Sequence, residues 1–103
     1  IFSGDITAAN INSTSDATLK HDIQKIQLAL ETIRQIDGVG FTWNNTGKRT
    51  FGVVAQEIEK VIPELVETEN GVKSVNYLGI IAFLINSVKE LDKQLQELKA
   101  RNT

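Results

Sequence analysis

One hundred and three residues with 41% hydrophobic content make one small domain with a modest core, a size at which association commonly adds stability. The absence of cysteine and a single histidine, His21, exclude disulfides, thiolate or multi-histidine metal sites and any triad with two imidazoles, so no cofactor is expected. A net charge of −2 gives no electrostatic footprint for nucleic acid, and no apolar run approaches the ~20 residues of a membrane span, so neither partner is expected.

Residues 1–14 are small, polar and weakly alternating. Gly4–Thr7 and Ala9–Asn12 read as two short extended pieces of the kind that ends a fibrous β-structure, with a frayed terminus as the alternative. The chain opens on Ile1 and is expected to be a piece of a longer one.

Ser15 then stands five residues before Lys20. A lysine whose pKa is lowered by burial can act as a general base, and the hydroxyl it deprotonates can attack a carbonyl. If that carbonyl is the one of Thr14, the chain cuts itself by an N-to-O acyl shift, and hydrolysis of the ester leaves a product beginning with Ser15. Nucleophile and carbonyl already share a chain, which supplies proximity; a desolvated base and donors for the oxyanion are still needed. The structural alternative is a capping Ser15 or Asp16 and a solvated Lys20. His21, next to Lys20, reads as a helix-surface residue that could assist.

Leu19, Ile23, Ile26, Leu30 and Ile33 recur at steps of four, three, four and three, which predicts a helix over 21–36 ended by Asp37-Gly38. Val39–Trp43 and Arg49–Ala55 flank Asn44-Asn45-Thr46-Gly47 and predict a hairpin. A short helix follows from Gln56 to Ile62, favoured at its start by Glu57 and stopped by Pro63. Leu65–Thr68 and Val72–Val75 predict a second hairpin around Asn70-Gly71. Phe41, Trp43, Phe51 and Phe83 read as core or subunit-packing aromatics.

The last third predicts one helix from about Asn76 to Arg101. Ile81, Leu84, Val88, Leu91, Leu95 and Leu98 alternate steps of three and four, the seam of a coiled coil, and Ile80 and Ile85 widen the apolar face at its upper end. So narrow a seam among charged flanks has no wall to pack on within its own chain. The expected fold is α+β: a small hairpin-and-helix domain whose long C-terminal helix joins a parallel bundle. The seam alone does not choose between two strands and three.

Ser15-Asp16, Leu19-Lys20, Asp22-Ile23, Gly52-Val53-Val54-Ala55-Gln56-Glu57, Pro63-Glu64-Leu65-Val66, Val75-Asn76-Tyr77 and the leucine-rich final helix together resemble one family, the endosialidase-type C-terminal intramolecular chaperone. Such domains end phage tail spikes, tail fibres and neck appendages, and the similarity covers residues 15–101. The resemblance implies a parallel trimeric coiled coil, assisted folding of an attached β-fibre, and self-cleavage at Thr14–Ser15 with Ser15 as nucleophile and Lys20 as base. It implies that residues 1–14 end the upstream fibre and that 15–103 form the chaperone, with Asp16, Gly52, Gln56 and Glu57 supporting the site or the trimer contact. It also implies work in the host cytoplasm during assembly, with the domain absent from the mature virion or loosely held by it. One departure stands out: many relatives carry a histidine shortly before the motif glycine, where this chain has Arg49, Thr50 and Phe51. Two alternatives are a trimerisation tip without proteolysis and the related self-cleaving domain of membrane-tethered transcription factors. Against the latter stand the fibre-like opening and the lack of an adjacent basic region.

Overall fold

A computed structural model describes residues 12–102. The extended pieces expected at 4–7 and 9–12 lie, but for Asn12, outside the described residues. A 3-10 turn at Ala17–Leu19 comes first, followed by helix α1 (Ala29–Ile33) and the hairpin β1 (Val39–Thr42) and β2 (Arg49–Gly52). Helix α2 (Ala55–Val61), a 3-10 turn at Pro63–Leu65, the hairpin β3 (Val66–Glu69) and β4 (Val72–Val75), and helix α3 (Tyr77–Arg101) complete the order.

The two hairpins form two separate antiparallel sheets, with Val39 opposite Gly52 and Val66 opposite Val75. Asn70 and Gly71 sit at φ 52° and 78° between Glu69 and Val72, the two left-handed positions that a tight two-residue turn demands. The first hairpin is shorter than predicted. Its return strand ends at Gly52 because Ala55 already begins α2, whose first-turn amide at Ile58 bonds to the Val54 carbonyl. Leu65 likewise belongs to the turn opened by Pro63, so β3 starts at Val66.

The largest difference concerns the helix predicted over 21–36. Only Ala29–Ile33 is α-helical. Asp22 and Leu28 adopt left-handed φ values of 54° and 55°, which interrupt the run. Locally, Asp16 and Asp22 spend their carboxylates on Thr18 and Gln24, the kind of short-range bonding that competes with helix. Leu19 and Ile23, read as part of the helix's apolar face, lie outside α1 and are exposed. Their spacing had no wall to face.

The core is small: Ile58 from α2, Ile62 just after it and Ile80 from α3, with Val53, Leu65, Val75 and Phe83 packed around them. Full burial of such a side chain stabilises by about 1.5–3 kcal/mol. Phe83 therefore packs as expected, and Phe41 meets Trp43 edge-on at 4.9 Å, whereas Phe51 is 83% exposed. Asn76 caps α3 by accepting the Gly79 N–H at 3.1 Å. A glycine in the first turn of a helix has a reason here: a Cβ at Gly79 would collide with the Leu65 side chain.

Candidate active site and association helix

Ser15 and Lys20 come together because five residues are wound into one tight turn. Asp16 precedes the turn in extended conformation and its Oδ1 accepts both the Thr18 N–H and the Thr18 hydroxyl at 2.8 Å. The Leu19 and Lys20 amides donate to the carbonyls of Asp16 and Ala17 at 3.1 Å. The chain thus doubles back, and Lys20 Nζ donates to Ser15 Oγ at 2.7 Å. The Thr18 N–H, then its hydroxyl, hold the Asp16 carboxyl below the usual aspartate range, so the turn is built on a charged carboxylate.

In the single chain this pair is exposed, as are Thr14 and His21. An exposed ammonium donating to a hydroxyl is not yet a base. To activate Ser15, Lys20 must lose its proton and accept the hydroxyl hydrogen instead, which desolvation promotes.

The other residues singled out in the sequence lie away from this pair. A Cβ at Gly52 would lie 2.8 Å from the Tyr77 hydroxyl and 3.1 Å from the Phe41 ring, so the glycine admits the start of α3 against β2. The Tyr77 oxygen accepts the Val53 N–H at 3.3 Å. Glu57 pairs with Lys60 at 3.1 Å within α2, and Gln56 is exposed. All six seam residues, Ile81, Leu84, Val88, Leu91, Leu95 and Leu98, are exposed along α3. Among the described residues no helix is long and apolar enough to cross a membrane.

Sequence reasoning missed two polar residues on α3. Asn86 Nδ2 donates to the Ile26 carbonyl at 3.2 Å, and Glu90 accepts the Ala29 and Leu30 amides at 2.8 and 3.4 Å. In the sequence Glu90 is one charge on a polar flank, and no local signal connects it to a segment 60 residues away.

The chain is thus a hairpin-and-helix domain with a Ser–Lys contact near its start and a helix with an exposed apolar seam at its end. Residues 15–67 match the family described as chaperone of endosialidase, and the chain belongs to that family. The chain is 34% identical to the long tail fibre protein Gp37 of Salmonella phage S16, over 93% of its own length and 15% of that protein. The Gp37 long tail fibre proteins of Enterobacteria phages K3 and T2 are each 31% identical, again over 93% of this chain and over 8% of theirs. The chain therefore spans a small fraction of the curated relatives it matches. Family and relatives together support a chaperone role in assembly.

Proposed function

We propose that residues 15–103 act as an intramolecular chaperone at the end of a phage tail fibre, self-associate as a trimer, and then release themselves by cutting Thr14–Ser15. The 2.7 Å contact between Lys20 Nζ and Ser15 Oγ carries the proteolytic part of this reading. The family match supports it by beginning at Ser15, the first residue of the expected product.

In the reaction, neutral Lys20 takes the Ser15 hydroxyl proton and Oγ attacks the Thr14 carbonyl carbon. The C–N bond of the tetrahedral intermediate breaks, and the departing Ser15 amine takes its proton from the Lys20 ammonium. An ester now joins Thr14 to Ser15 Oγ. Water hydrolyses it, leaving a carboxylate on Thr14 and a free amine and hydroxyl on Ser15. Because the pair is exposed in one chain, assembly is the event that desolvates the amine, and cleavage follows association. The work takes place in the host cytoplasm as the fibre assembles.

Exposure of the same pair favours a second reading, a trimerisation tip that never cleaves. Intact-mass measurement of the chain expressed with its upstream fibre separates the two. Self-cleavage gives a fragment beginning at Ser15, abolished by Ser15→Ala and by Lys20→Ala with the number of associated chains unchanged. An intact Thr14–Ser15 bond in the assembled wild type would leave only the structural tip.

A further inference from the structure

Among the described residues, the segment holding Ser15 and Lys20 makes only local hydrogen bonds until it meets α3. Its first anchors to a distant element are the Ile26 carbonyl, held by Asn86, and the Ala29 and Leu30 amides, held by Glu90. Those amides open α1, where N–H groups have no acceptor within the helix. The residue before them, Leu28, is left-handed and offers no side-chain oxygen, so nothing local caps the helix. Glu90 supplies from 61 residues away what a serine or aspartate supplies elsewhere. Ala29 has no exposed surface, so its amide cannot turn to water if the carboxylate is lost.

Asn86 and Glu90 are four residues apart and share one face of α3. By helical spacing that face lies opposite the seam of Ile81, Leu84, Val88, Leu91 and Leu95. One helix thus carries the association surface on one side and the clamp on the other.

We propose that Glu90 is a positioning residue for the Ser15–Lys20 site: it fixes the base of the dyad's segment to the association helix, so the orientation of that helix sets where the locally wound dyad is held. The inference rests on the self-cleavage reading above. Association through the seam immobilises α3, and the clamp passes that order to residues 15–28 without itself lying at the seam.

The test uses the chain with its upstream fibre, comparing wild type, Glu90→Ala and Glu90→Gln for cleavage half-time, oligomeric mass and amide resonances of residues 15–20. Glu90→Ala is expected to cleave about ten- to a hundredfold more slowly at unchanged oligomeric mass, with shifted resonances, since small misplacements of reacting groups carry penalties of that order. Glu90→Gln keeps one acceptor oxygen and recovers part of the rate. A Glu90→Ala chain that cuts at the wild-type rate, or slows only as it loses assembled mass, overturns the assignment. If wild type assembles without cleaving, the proteolytic reading fails separately, and unmoved resonances of residues 15–20 in Glu90→Ala then refute the positioning role. Should Glu90→Ala fail to fold, Asn86→Ala removes the neighbouring Ile26 contact and is judged by the same readouts.

Discussion

The Asp16 carboxylate receives two hydrogen bonds from Thr18, and both favour its charged form. Its pKa is therefore lower in the folded turn than in an unfolded chain. The stabilisation is complete above the ordinary aspartate value of about 3.9 and is lost as pH falls through the lower folded value. The turn that brings Lys20 to Ser15 should open only in that acid window, with a carbon-detected NMR titration of Asp16 as the measurement. Asp16→Ala removes both bonds and is expected to slow cleavage at unchanged oligomeric mass, whereas Asp16→Asn keeps an acceptor oxygen and most of the rate. Equal rates for Asp16→Ala and wild type would strip the turn of its role. At this scale the sequence was informative wherever partners are near neighbours: Ser15 and Lys20 are five residues apart, and one turn suffices to join them. Glu90 and Ala29 are joined only by the tertiary fold, and no reading of adjacent residues could pair them.

Among the elements, those specified by turn chemistry were legible. Asn70-Gly71, Pro63 and the cap at Asn76 each fix a boundary by backbone geometry, and the structure has β3–β4, the turn at Pro63 and α3 close to where those residues put them. Between its end signals, the helix expected over 21–36 rested on periodicity. A 3.6-residue repeat of apolar residues specifies a helix only where a surface exists to receive the stripe, and α3 receives just the stretch from Ala29. Where two elements come closest, a missing side chain is the reason. Gly79→Ala should destabilise by about 1–3 kcal/mol by forcing Leu65 aside, seen as a lower denaturation midpoint with unchanged slope. A midpoint equal to wild type would mean that Leu65 swings away without cost.

For the whole molecule, the decisive property is how much apolar surface a lone chain leaves in water. Leu91 and Leu95 are 53% and 48% exposed on α3, so glutamine at both positions costs an isolated chain little. An assembled bundle covers the half of each leucine still in water, which contributes about 1 kcal/mol per side chain in every chain. The double replacement should therefore abolish association and the concentration dependence of Tm, and cleavage should fall with it. Wild-type cleavage in a demonstrated monomer would sever the proposed link. The thin isoleucine core has one more consequence. In the proposed trimer, three chains side by side on one fibre would meet at tethered local concentrations in the millimolar range, so a weak seam would be enough to bring them into register. The proposed cut at Ser15 would remove the tether, and the freed domains would then face only bulk dilution. The same bond whose loss ends the chaperone's task would loosen the chaperone itself.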